Sequence, residues 1–187
     1  MCGSGRTRTA RFRATDRHTL VEMLIAMSGL PGTGKTTIAR ELASRVHAVH
    51  LRIDSIEQAL RRTGVRVEGE GYAVAYAIAE DNLRLGLIVV GDCVNPWPLT
   101  RDAWRSVAAR AGTPVLEVEI VCGDPAEHRR RVESRAPDIA GHRVPSWQEV
   151  ADRDYRRWDR DRLVVDAGRL TTTDCVGLIL ANAGIRW

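Results

Sequence analysis

The stretch MLIAMSGLPGTGKTT, residues 23–37, leaves a chain few choices of fold. An apolar run, Leu24, Ile25 and Met27, stops at a glycine-rich turn, and Ile38, Ala39, Leu42 and Ala43 then recur at helical spacing. Gly29, Gly34, Lys35 and Thr36 occupy the four specified positions of G-x-x-x-x-G-K-[ST], the phosphate-binding loop pattern. Without Cβ atoms, the glycines let backbone N–H groups curl around phosphate oxygens, and the following helix turns its positive end toward the anion. Gly29, Leu30, Pro31, Gly32, Thr33, Gly34, Lys35, Thr36 and Thr37 are therefore the candidate nucleotide-binding set. Lys35 is expected to reach the β- and γ-phosphates, and the Thr36 hydroxyl to ligate Mg²⁺. Among 28 basic residues Lys35 is the only lysine, so a chain that uses arginine everywhere else keeps an ammonium at this one position.

At 187 residues and 44% apolar content the chain can bury one core, and one domain is expected over residues 23–187. Residues 1–22 hold five arginines and no apolar periodicity, which predicts a disordered basic extension. That extension carries most of the formal charge of +4, so the folded body is near neutral and offers little footprint for a polyanion. Cys2, Cys93, Cys122 and Cys175 show no C-x-x-C pair, which points away from a zinc site and toward a reducing cytoplasm. No apolar run has the length of a membrane helix, and residues 1–22 lack the apolar core of a secretory signal.

After residue 23 apolar runs alternate with helical patterns, as in a parallel sheet covered by helices. Strands are expected at Leu24–Ser28, Val49–Ile53, Leu87–Val90, Val115–Val121 and Leu163–Val165. Ser55 with Gln58, Asp124 with Glu127, and Ser146 with Glu149 have capping-box spacing, and Pro125 suits a first helical position. The expected architecture is α/β: a single P-loop NTPase domain with a five-stranded parallel sheet flanked by helices, nucleoside-monophosphate-kinase-like with a short lid. Ligands of such sheets sit outside the carboxyl ends of the strands. Asp54, closing HAVHLRID, and Asp92, closing LIVVGD, stand there. Either carboxylate can take a proton from an acceptor hydroxyl or support Mg²⁺, and the sequence leaves open which does which.

The order GLPGTGKTTIAREL, LRIDSIEQAL, GLIVVGDCVNPWPLTRDAW and VCGDPAEHRRRVESR resembles a group of P-loop kinases. The group includes polynucleotide 5′-hydroxyl kinase, zeta toxins and chloramphenicol phosphotransferase, small kinases of AAA-ATPase type. The resemblance spans roughly residues 23–170, and around Asp92, Asn95, Pro96, Arg101 and Trp104 it is nearest to polynucleotide kinase. It implies that Asp54 is the general base and that Asp92 positions the acceptor. It also implies that Arg131 and Arg135, an R-x-x-x-R pair before APDIAGHRVP, belong to a lid that closes on the transferring phosphate, with Arg143 beside them. The adenine ring is then expected near residues 166–170. Arg131 counts as a nucleotide-binding and, with Arg135, a catalytic candidate.

The acceptor is expected between the helix after the second strand and the loop after the third, where Asp54, Asp92, Asn95 and Arg101 are the candidate contacts. Arg62, Tyr72, Tyr76 and Trp97 lie in the same stretches, the two tyrosines at core spacing. Trp147, Tyr155 and Trp158 are expected to pack the last helix on the sheet, and the five histidines to be surface or core residues. The expected function is an ATP- and Mg²⁺-dependent kinase transferring the γ-phosphate to a hydroxyl of a small-molecule acceptor: a metabolite, a nucleoside or an antibiotic. The alternatives are a polynucleotide 5′-hydroxyl kinase that uses the basic extension, and a regulatory P-loop ATPase without an acceptor.

Overall fold

The computed structural model describes residues 22–186, so all but the last residue of the expected basic extension lies outside the described residues. Twelve elements alternate along the chain in the βα manner. They begin β1 (Leu24–Ser28), α1 (Lys35–Val46), β2 (Val49–Arg52), α2 (Ile53–Arg62) and α3 (Glu70–Arg84). There follow β3 (Val89–Asp92), α4 (Pro98–Ala111), β4 (Val115–Val121), α5 (Pro125–Glu133), α6 (Trp147–Ala151), β5 (Leu163–Asp166) and α7 (Thr172–Asn182). The five strands form one parallel sheet in the order β2-β3-β1-β4-β5. β1 lies at its centre and is buried throughout, hence its unbroken apolar run. Successive side chains of β1 take opposite faces: Ile25 and Met27 join Ile38, Leu42, Ile179 and Leu180 on one, Leu24 and Ala26 join Ala75, Leu83, Trp104 and Val107 on the other. Among the described residues, no helix is long and apolar enough to cross a membrane.

Three local expectations are corrected. β3 is displaced by two residues from Leu87–Val90, because its pairing with β1 runs from Leu24↔Val89 to Met27↔Asp92 and leaves Leu87 exposed. Gly91 therefore lies inside a strand, where a Cβ would stand 3.0 Å from the Trp104 ring. Ser55 does not cap a helix: α2 starts directly from β2 at Ile53, whose side chain is buried, and this puts Asp54 in the first helical turn. Asp124 caps α5 with Pro125 in the first turn, but Glu127 turns outward to Arg130 and Arg131 instead of closing the box. The Ser146–Glu149 box forms in full, and a second box, Thr171–Asp174, opens α7.

The aromatic residues after α6 do not lie on the last helix. Tyr155 and Trp158 belong to an irregular segment, residues 152–162, that packs on one face of the inner strand β4. That face of β4 carries Glu117 and Glu119, both buried. Arg160 grips Glu117 through two bonds of 2.9 Å, and Arg162 with the Tyr155 hydroxyl holds Glu119. Trp158 lies against Arg101, whose guanidinium carbon is 4.2 Å from its ring centroid. Arg101 itself is 1% exposed and donates to the carbonyls of Asn95, Pro96, Arg156 and Arg157. Replacing Arg101 by Ala orphans those buried acceptors, and denaturant unfolding should report a loss of about 3 kcal/mol. Nucleotide affinity should change less than about threefold, because the residue faces away from the phosphate loop.

Candidate active site

The loop between β1 and α1 is shaped by its glycines. Gly29 adopts φ 134°, and a Cβ there would collide with the Ile120 carbonyl of β4. The loop thus sits tight against the sheet, and its Gly29 N–H donates to the Val94 carbonyl. α1 is capped by Gly34 without a side-chain acceptor, which leaves its first-turn N–H groups to an incoming anion. Lys35 folds back over the loop and donates to the Leu30 carbonyl at 2.8 Å. Burial pushes its ammonium pKa down to about 8 in spite of the attraction of Asp92 and Asp54.

Asp92 ends β3 next to this loop and is buried. Burial alone favours the neutral acid, but the hydrogen bond from His50, the charge of Lys35 and the hydroxyl of Thr36 together hold its carboxyl below the ordinary value. His50 Nε2 stands 3.3 Å away, brought there by the pairing of β2 with β3. A buried, ionised carboxylate beside a threonine hydroxyl is a hard oxygen pair that suits Mg²⁺, which takes one or two protein ligands and completes its shell with phosphate and water. Among the described residues no group of three acidic, histidine or cysteine side chains is placed to hold a metal, in keeping with so sparse a site.

Three cavities adjoin the loop. One of about 280 Å³ is lined by Gly34, Lys35, Thr36, Arg131, Arg135 and Asp138. A second, of about 410 Å³, continues from Lys35, Thr36 and Arg135 past Asp54 and Asp92 to Tyr72 and Trp97. The third, also of about 410 Å³, leads from Gly34, Thr37 and Arg131 to Ala167, Leu170 and Thr171, so it is bordered by the segment after β5. Arg131 is thus shared by the first and third, and Arg135 by the first and second. Arg131 is paired with Glu127 at 2.7 Å, whereas Arg135 approaches Asp138 only to 3.8 Å.

Two acceptor candidates are not brought to the cleft. Arg101 is a strut behind it, as described above. Asn95 is 1% exposed, at φ 47°, and its amide donates to the Met27 carbonyl and the Ser28 hydroxyl, pinning the end of β1. The Asn95 N–H donates to Tyr72 Oη, so Tyr72 supports the loop and lines the cleft at once. Tyr76 packs edge-on against Trp104 as a core residue. Trp97 is half exposed at the cleft mouth, its indole N–H donating to Asp154. Four groups were illegible in the sequence: His50 on Asp92, His128 on the Pro31 carbonyl at 2.8 Å, and the pair Arg52–Asp138. Their spacing carries no signal, since each acts on a partner at least 42 positions away.

A phosphate loop at the carboxyl edge of a 2-3-1-4-5 parallel sheet, faced by Arg131 from the helix after β4 and by Arg135 just beyond that helix, defines a small P-loop kinase domain. The family AAA_33, described as an AAA domain, matches residues 24–158, and the chain belongs to that family. A protein of Aeropyrum pernix described as a probable adenylyl-sulfate kinase is 32% identical over 108 residues, or 52% of this chain. The match spans 58% of that relative's length. The fold is shared with a putative kinase from Chloroflexus aurantiacus, at 17% identity and TM-score 0.67, over 88% of this chain and 97% of that one. It is also shared with the Mycobacterium tuberculosis APS kinase in complex with AMPPNP and APS, at 19% identity and TM-score 0.63, over 85% and 96% of the two chains.

Proposed function

We propose that the protein is an ATP- and Mg²⁺-dependent kinase that transfers the γ-phosphate to a hydroxyl of a small-molecule acceptor. The observation that carries this reading is the continuity of the first two cavities through Lys35, Thr36 and Arg135, with Asp54 and Asp92 on the wall of the second. A donor phosphate held by the loop and an acceptor lying on Asp54 would meet at that junction. In this reading the loop amides and Lys35 hold the phosphate oxygens and Arg131 faces the nucleotide. Thr36 and Asp92 would hold Mg²⁺, which supplies neutralisation of the charge on the bridging phosphates. Asp54 accepts the hydroxyl proton as the acceptor oxygen bonds to the γ-phosphorus, and the bond to the β–γ bridging oxygen breaks to release ADP. Arg135 faces the transferring group, where equatorial charge accumulates.

The acceptor cleft favours a metabolite over a long polyanion. Its cations are largely balanced within the cleft, Arg61 by Glu57 and Arg143 by Glu149. ATP labelled in the γ-position, offered with a panel of sugars, gluconate, adenylyl sulfate, nucleosides, antibiotics and 5′-hydroxyl oligonucleotides, tests the assignment. Label on a small hydroxyl compound is the expected result; label on the oligonucleotide alone, or only on inorganic phosphate, would overturn it.

A further inference from the structure

Arg52 closes β2 and is 5% exposed, so its guanidinium needs a carboxylate close by. Two stand within reach. Asp138 takes it in a bidentate pair, Nη1 to Oδ2 at 2.7 Å and Nη2 to Oδ1 at 2.9 Å. Asp54 stands farther off, its Oδ2 3.8 Å from the same Nη2. Asp92 is the third carboxylate whose charge acts on Arg52. Asp138 comes from the segment between α5 and α6, residues 134–146, and is anchored further by Arg40 at 2.8 Å. The same segment docks on α2 through the Ala140 carbonyl, which accepts from Gln58 and Arg62. Arg40, Arg52 and Arg135 thus converge on one carboxylate, and the carboxylate of Asp54 is spared.

We propose that Asp138 is a positioning residue for Asp54: by occupying the Arg52 guanidinium it keeps the Asp54 oxygens free for the acceptor hydroxyl. The proposal rests on Asp54 acting as the base. Its logic is competition for one buried cation. With Asp138 in place, Arg52 presents only the flank of Nη2 to Asp54. With Asp138 gone, the nearest carboxylate for that cation is Asp54, and a bidentate pair there would cover both oxygens that a hydroxyl must approach. Because Asp138 lies on the segment that also walls the phosphate cavity, the state of that segment and the availability of the base are coupled.

A crystal structure of the Asp138→Ala variant, with kinetics on whichever acceptor the panel identifies, tests the proposal. Arg52 is expected to turn onto Asp54, with at least one Nη–Oδ distance near about 3 Å. Turnover is expected to fall at least about tenfold with little change in the KM for ATP. Asp138→Glu should restore most of the rate, and adding Arg52→Met to Asp138→Ala should recover part of it by removing the competitor. An Arg52 that stays off Asp54 or turns to Asp92 in the variant overturns the proposal, as does a rate loss that neither Glu nor the double variant relieves. The outcome for Asp54 itself is separate: full turnover in Asp54→Asn would refute its role as base, while the position of Arg52 in the crystal would still report the competition.

Discussion

Substituting Lys35 by Met is expected to lower kcat at least about a thousandfold and to leave the melting temperature of the ligand-free protein level or raised. The rate effect follows from position. Lys35 lines both cavities that the proposed kinase reading joins, and in that reading the charge it supplies would grow in value as a phosphoryl group moved between them. The stability effect follows from burial. The ammonium is almost wholly enclosed and has one hydrogen bond, to Leu30, so the ligand-free fold bears its desolvation without an anion to offset it. The pH dependence has a definite sign. With the folded pKa near 8 and the ordinary value at 10.5, the folded state holds fewer protons on Lys35 than the unfolded state across that interval. This group therefore adds stability as pH rises from about 8 to 10.5, on the order of 3 kcal/mol in all. The advantage of Lys35→Met over the parent chain in chemical denaturation should shrink across the same interval. An advantage independent of pH would contradict the burial argument.

Asp54→Asn is expected to reduce kcat by roughly 10² to 10⁴, with the KM for ATP within about threefold of the parent. Asparagine keeps the size and one acceptor oxygen but cannot take a proton. Asp92→Asn should behave differently. Asp92 is tied to Thr36 and His50 at the phosphate end, so its loss should raise the Mg²⁺ concentration needed for half-maximal turnover. Measuring Mg²⁺ dependence for both variants separates the two aspartates, whose roles the sequence leaves open. Equal Mg²⁺ dependence with equal loss of rate would refute the division of labour.

What the sequence discloses here is what local chemistry determines. The phosphate loop, the parallel sheet, the Ser146–Glu149 cap and the cleft position of Asp54 each rest on residues near one another in the chain. Asp54 is legible even though its helix begins two residues before the expected cap, because the end of a strand is defined by its own apolar run. Arg101 and Asn95 mislead for a physical reason. Polar residues after a central strand ordinarily face the cleft, but here the loop turns back at Asn95, φ 47°, which buries Asn95 against the end of β1 and Arg101 in the junction with residues 152–162. The buried glutamates of β4 have the same origin: Glu117 and Glu119 are matched by arginines 43 residues later. His50, Arg52 and Asp138 belong to this class, in which the chemistry depends on a partner that only the fold supplies.

The solitary lysine has a practical side. The chain has one ε-amine, and it stands in the phosphate cavity with about a tenth of its population unprotonated at pH 7. Stable amide formation by a small acylating reagent should therefore be confined to the α-amine and Lys35, and saturating nucleotide should block the second. Mass spectrometry of the labelled chain would then read occupancy of the phosphate site directly, before any acceptor is known.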